Sequence, residues 1–157
     1  MALSADGWML PVVDEDGEGF WEGTLAGELR MQACGSCGAM RFPPRPMCPR
    51  CQSTERLWQR VSGQATLWSF VVAHPPLLPA YAAIAPYPVV VVSLVEDPRL
   101  RLVGNVLDTP DGPINQVDPA TLRIGEPLGV VFAPMVGQDG TEIAVPRWLR
   151  SSPVNGS

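Results

Sequence analysis

The sequence predicts a mainly β protein built from a short N-terminal helix, a four-cysteine metal ribbon and a five-stranded barrel. Three observations lead there. All four cysteines fall within residues 34–51, "CGSCGAMRFPPRPMCPRC". From residue 64 onward run five short segments rich in β-branched residues, each bounded by glycine, proline or aspartate. Upstream, residues 17–30 carry apolar side chains at helical spacing.

The chain has 157 residues, 46% of them apolar and 17% charged, enough to bury a core as one domain or as a small domain with an appended module. The net charge of −5 is unevenly placed. Residues 1–28 hold seven acids (Asp6, Asp14, Glu15, Asp16, Glu18, Glu22, Glu28) and no base, while the rest carries eleven arginines against nine acids, without a lysine. The acidity therefore belongs to an arm, read as extended and partly mobile over residues 1–16. It is either a solvated face or a complement to a basic surface, and it argues against nucleic acid. No stretch approaches the roughly 18–20 apolar residues of a membrane span, and no basic segment precedes the short apolar piece near the N-terminus. The expectation is a soluble, cytoplasmic protein with no membrane contact, in a compartment that keeps thiols reduced.

Four zones follow: arm and helix over 1–30, ribbon over 31–60, barrel over 61–150 and a disordered tail over 151–157. In the helical zone Phe20, Trp21, Leu25 and Leu29 recur every one to four residues, and glycines interrupt them. Such a weak helix must pack on something.

The ribbon reads C-x2-C-x10-C-x2-C over Cys34, Cys37, Cys48 and Cys51. Gly35 and Gly38 permit the tight turns of a metal knuckle, and Pro49 presets φ in the second one. Four thiolates suit zinc, with a single iron as the minor alternative. Four ligands leave no open position for water, so the metal is structural and not catalytic. A four-thiolate zinc site carries a charge of about −2. Arg41, Arg45 and Arg50 either offset it or face a phosphate-bearing ligand or an acidic partner.

The five strands are "ATLWSFVVAH", "YPVVVVSLVE", "LRLVGNVLD", "PLGVVFAPMV" and "TEIAVPRW". Between the third and fourth, Asp118 is placed to cap a helical turn that starts at Pro119. Three strands, a short helix and two strands is the order of an oligonucleotide/oligosaccharide-binding (OB) barrel. The connection "AHPPLLPAYAAIAPYP" is too apolar for a solvated loop: Leu77, Leu78, Tyr81, Ile84 and Tyr87 call for burial. It is read as a contact surface or as a plug over one open end of the barrel.

Catalytic groups are scarce. His74 is the single histidine, no G-x-S-x-G elbow is present, and the glycine-rich fragments do not follow a strand and open a helix. Glu96 and Asp97 sit where acids serve turn geometry. Trp58, Trp68 and Phe70 could stack bases, but their strand positions suit a core.

Taken in order, "FWEG", "CGSCGAMRFPPRPMCPRC", "WQRVSGQATLWSFVVAH", "YPVVVVSLVE" and "RIGEPLGVVF" resemble an acyl-CoA-associated family that fuses a rubredoxin-like zinc ribbon to an OB barrel, long catalogued as a domain of unknown function. The resemblance implies a non-catalytic accessory subunit of a thiolase-superfamily enzyme, including sterol-carrier-type retro-aldolases acting on steroid side-chain CoA thioesters. It implies a hetero-oligomer in which the partner holds the acyl-CoA. Carried over by position, Cys34, Cys37, Cys48 and Cys51 would bind zinc. Phe20 and Trp21 match the family's aromatic pair, which would dock on the partner or on the barrel; His74, Leu77, Leu78 and Tyr81 of the apolar connection are read beside them as candidates for the partner interface. Arg41, Arg45 and Arg50, from the ribbon's charge pattern, are the candidate contacts to CoA phosphate. A single-stranded nucleic-acid-binding module and a free-standing acyl-CoA-binding protein are the alternatives.

Overall fold

The chain is described from a computed structural model over residues 3, 4 and 6–151. Helix α1 spans Glu18–Leu25 and ends before the expected Arg30. The stop is a backbone one. Gly27 takes φ +75°, its N–H reaches the Thr24 carbonyl, and the Glu28 N–H reaches back to Gly23, which together close the helix in a Schellman motif. Leu25 is consequently exposed, and Leu29, expected on the same helical face, is buried in the chain leading to the first strand. Phe20 points into the core, edge-on to Trp21 at 4.9 Å and tilted against Phe42 at 5.4 Å.

Three antiparallel strands form the ribbon: β1 (Arg30–Cys34) in the centre, flanked by β2 (Met40–Arg41) and β3 (Arg56–Arg60). Both faces of β1 are buried. Met31 joins the main core, and Gln32 faces the proline-rich loop.

The barrel is closed, as the segment order predicts. Strands β4 (Gln64–Ala73), β5 (Tyr87–Leu94), β6 (Arg101–Leu107), β7 (Pro127–Val136) and β8 (Glu142–Arg150) run in the order β4-β5-β6-β8-β7, with β7 returning to β4. Every pair is antiparallel except β6–β8. The turn between β6 and β7 is a 3-10 turn over Pro119–Thr121, with the Asp118 carboxylate accepting the Ala120 N–H at 2.9 Å. Arg150 ties that turn to the barrel: its guanidinium donates to the Thr121 hydroxyl and carbonyl and pairs with Glu126 at 3.1 Å.

Strand alternation places Leu67, Val90, Val92, Leu102, Val106, Leu128 and Trp148 inside. Trp148 fits because Gly104 beside it has no side chain; a Cβ there would lie 3.0 Å from the indole. The same core continues into Phe20, Leu29, Met31 and Val61, so helix, ribbon and barrel bury one another.

The opposite faces of these strands carry a second apolar cluster, in which Tyr87, Val89, Leu107, Val131 and Leu149 are covered by Leu77, Tyr81 and Ile84. The proline-rich connection, with a single helical turn α2 at Pro79–Ala82, thus lies along the outer wall and does not plug the barrel mouth. The cause is sequence parity: the run Val89–Val92 is apolar on both faces, so its outer face also needs cover. The arm assists. Its described residues fold back instead of running extended: Leu3 pairs with Met9, Ser4 pairs with Gly137, and Trp8 sits edge-on to Tyr81 at 4.6 Å. The tail expected over 151–157 lies outside the described residues beyond Ser151. No described helix is long and apolar enough to cross a membrane.

Gly19 in α1 tests the helix–ribbon contact, because two effects there have opposite signs. Alanine in a helix is favoured over glycine by about 1 kcal/mol, but a Cβ at residue 19 would stand 2.3 Å from the Trp58 indole. The ring must move, and overpacking of this kind costs about 1–3 kcal/mol. Gly19→Ala is expected to lower stability in urea unfolding; an increase would show that the Trp58 contact is not fixed.

Candidate metal centre

The ligand atoms of Cys34, Cys37, Cys48 and Cys51 all lie within 4.8 Å of one another. Cys34 and Cys51 Sγ are 3.5 Å apart, and Cys37 and Cys48 Sγ are 3.8 Å apart. These separations are too long for a disulfide of about 2.05 Å. They match a tetrahedron of bonds of about 2.3 Å, whose edges are about 3.8 Å.

Each knuckle closes on a left-handed residue four positions after its first cysteine. Gly38 takes φ +72° and its N–H donates to the Cys34 carbonyl; Gln52 takes φ +61° and its N–H donates to the Cys48 carbonyl. Gly38 was legible as such a position. Gln52 was not, since a side chain there gives no signal. Gly35 serves another purpose, as a Cβ would meet Glu55 at 2.9 Å.

The backbone N–H of Cys37 brings the Cys34 thiol down to about 6, with smaller contributions from Ser36 and the other thiols. Backbone N–H groups of Cys51 and Arg50 also lower Cys48. Cys51 shows the other side of the crowding: the Ser53 N–H favours its thiolate, yet Cys34, burial and the remaining thiols outweigh this and push it up to about 12. Four thiols this close cannot all ionise without a cation among them. A divalent ion removes that conflict, and the donor set is the structural zinc set.

Arg41, Arg45 and Arg50 fall in different environments. Arg41 is only 7% exposed; its Nε donates to the Gln32 side-chain amide oxygen Oε1 at 2.6 Å, and one terminal nitrogen donates to the Arg45 backbone carbonyl at 3.2 Å. The same Gln32 oxygen accepts the Arg45 N–H at 2.9 Å. Gln32 is thus the internal anchor of the loop, a role the sequence did not reveal. Arg45 and Arg50 have exposed side chains. Between ribbon and barrel lies a cleft of about 390 Å³, lined by Met40, Arg41, Phe42 and Arg50 on one side and by Asp97, Arg99 and Leu100 on the other. Arg99 grips Asp97 through two nitrogens, at 3.0 and 2.8 Å, and this pair holds the Asp97 carboxyl below its ordinary range. In the sequence Asp97 reads as a turn residue only. It is one, accepting the Arg99 N–H at 3.0 Å, but folding also brings it to the ribbon.

The other expected site residues do not converge on the metal. Phe20, 5% exposed, is spent on the chain's own core, so of the aromatic pair only the half-buried Trp21 reaches the surface. Leu77 and Tyr81 pack on the outer wall, whereas His74 and Leu78 are exposed, Leu78 by 55%. Trp58 and Phe70 pack against the core, while Trp68, on a bulge in β4, is exposed with the Arg101 guanidinium 3.8 Å above its ring.

Two family models match in succession. Residues 21–55 match the rubredoxin-like zinc ribbon domain of ChsH2, and residues 58–133 match the ChsH2 C-terminal OB-fold domain. A "DUF35 domain-containing scaffold protein" of Methanothermobacter thermautotrophicus is 31% identical over 68% of this chain and 74% of its own length. The chain belongs to the DUF35 family. The "3-oxo-4,17-pregnadiene-20-carboxyl-CoA hydratase alpha subunit" of Mycobacterium tuberculosis is 32% identical over 83% of this chain, which spans 38% of that protein's length. Among solved structures, a chain of the "Ltp2-ChsH2(DUF35) aldolase" superposes with a TM-score of 0.72 at 27% identity, covering 90% of this chain and 98% of that one.

The zinc assignment predicts that Cys48→Ser leaves three thiolates and an open coordination sphere. Metal content should fall from about one zinc per chain to near zero. Because ribbon and barrel share a core, the midpoint of thermal unfolding should fall as well. A variant that retains a full equivalent of zinc would remove Cys48 from the ligand set.

Proposed function

We propose that this chain is a non-catalytic accessory subunit that docks on a thiolase-superfamily enzyme acting on acyl-CoA thioesters and stabilises it. In the more specific form of this reading, the partner is a sterol-carrier-type retro-aldolase of steroid side-chain degradation. The observation that carries the proposal is the match to a chain of an aldolase assembly over 98% of that chain. Two further points support it. The names of the relatives are those of scaffolds and of one subunit of a CoA-thioester hydratase. The four-thiolate site has no position left for a substrate, and His74 stands exposed with no hydrogen-bonded partner among the described residues, so nothing there builds a nucleophile and its base.

In this reading zinc fixes the ribbon's shape, and chemistry belongs to the partner. The docking surface consists of the exposed residues around the outer wall, His74 and Leu78, supported by Leu77 and Tyr81, with Trp21 at the helix. The partner holds the acyl-CoA. Arg50, beside Arg41 and Arg99 in the ribbon–barrel cleft, is the residue placed to meet a CoA phosphate from this side, with Arg45 outside the lining of that cleft.

Co-expression with a thiolase-like protein encoded beside this chain tests the proposal. The two are expected to elute together, and the partner alone is expected to be unstable or inactive. Leu78→Asp should weaken co-elution at least about tenfold, as loss of a central apolar anchor does, while leaving zinc content and the unfolding midpoint of the free chain unchanged. Separate elution together with full activity of the isolated partner would refute the accessory role.

A further inference from the structure

Among the buried and partly buried arginines of this chain, one side chain has no partner at all among the described residues. Arg30 pairs with Glu28, Arg56 with Asp16 and Arg150 with Glu126. Arg41 donates to Gln32 and to the Arg45 carbonyl, although it too has no carboxylate partner and its Nη1 is buried without a hydrogen bond. The Arg147 side chain, on β8 opposite Val131, makes no hydrogen bond or ion pair among the described residues. Its Nε is buried without a partner, and burial alone pulls its pKa below the ordinary arginine value. Its two terminal nitrogens are not among the buried unpartnered atoms, so the guanidinium keeps an accessible end without a counter-charge, and a partly desolvated cation is stabilised by pairing with an anion.

Arg147 lines a cleft of about 320 Å³ between the N-terminal turn and the β7–β8 hairpin. Trp8, Pro134, Met135 and Val136 supply the apolar walls, and Ser4 and Asp6 the remaining lining. The exposed Asp6 carboxylate forms no ion pair with Arg147. One cation and one anion leave the cleft near neutrality, which disfavours a multiply charged phosphate ester. A planar monoanion suits the guanidinium fork, because a carboxylate can accept two parallel N–H bonds.

The geometry points to a binding site for an apolar monocarboxylate in the cleft between the N-terminal turn and the β7–β8 hairpin, with Arg147 gripping the carboxylate and Trp8, Pro134 and Met135 enclosing the apolar body. The site lies outside the ribbon–barrel cleft, and it stands or falls independently of the accessory-subunit reading. It also gives Trp8 a second role beyond its packing on Tyr81.

The test uses the full, zinc-loaded chain, titrated with benzoate, with the isosteric neutral benzamide as control. Calorimetry and the NMR signals of the Trp8 indole N–H and the Arg147 Nε–H are the readouts. Benzoate is expected to bind saturably and to shift both signals, and benzamide to do neither. Arg147→Lys, which keeps the charge and loses the fork, should weaken binding about tenfold. Arg147→Met should abolish it, and Asp6→Asn should tighten it by removing the like charge. The Trp148 indole, deep in the core, reports whether each variant is folded; if Arg147→Met is not, Arg147→Lys decides. Non-saturating shifts, equal binding of benzamide, or Arg147→Lys binding within twofold of the parent overturns the proposal. So does an Asp6→Asn variant whose Arg147 signal moves without ligand as far as benzoate moves it in the parent, since Asp6 would then already occupy the cleft.

Discussion

Four sulfur atoms held within 4.8 Å of one another form the constraint on which the rest of the molecule depends. Without a cation their charges oppose one another; with one they clamp residues 34 and 51 together and close a loop too rich in proline and too poor in apolar side chains to fold by itself. The clamp fixes β1, whose two faces then do different work. Met31 enters the common core of helix and barrel, and Gln32 holds Arg41 and the Arg45 backbone from within the loop. The metal is thus coupled to the barrel through β1, with Met40, Phe42 and Trp58 of the ribbon packing on the same core.

That coupling bears on how such a subunit could serve an enzyme. A ribbon that moved freely on its barrel would present no fixed surface. Here Phe20, Leu29, Met31 and Val61 pack with barrel residues in one cluster, so the ribbon–barrel cleft and the outer wall keep a set geometry relative to each other. Two apolar clusters on opposite faces of the same strands divide the labour: the inner one holds the fold, and the outer one carries the proline-rich segment whose tip, Leu78, stays in solvent.

Much of this was legible in advance where the signal is local. The knuckle spacing named all four ligands, and the β-branched segments named all five strands. Asp118 followed by Pro119 located the 3-10 turn. Errors arose where one pattern served two purposes. Leu25 and Leu29 continue a helical period, but Gly27 ends the helix between them, and burial of Leu29 comes from the strand that follows. The pair Phe20–Trp21 reads as docking on a partner or on the barrel, and adjacent helical residues point in different directions: Phe20 takes the barrel side, and only Trp21 reaches the surface. Arg41 resembles its exposed neighbours in sequence and is buried because Gln32, nine residues earlier, supplies its acceptor.

The sequence by itself determined the metal site, the barrel's strand count and the order of its elements, because each is written in short-range spacing that survives without knowledge of neighbours. Only the tertiary structure decided which side chains share a cleft. Asp97 and Arg99 meet the ribbon, Trp8 and Arg147 meet across the second cleft, and the proline-rich segment chooses the outer wall over the barrel mouth. Those outcomes depend on strand register and on which face of a doubly apolar strand remains uncovered. Both are settled by barrel closure, which no local pattern encodes.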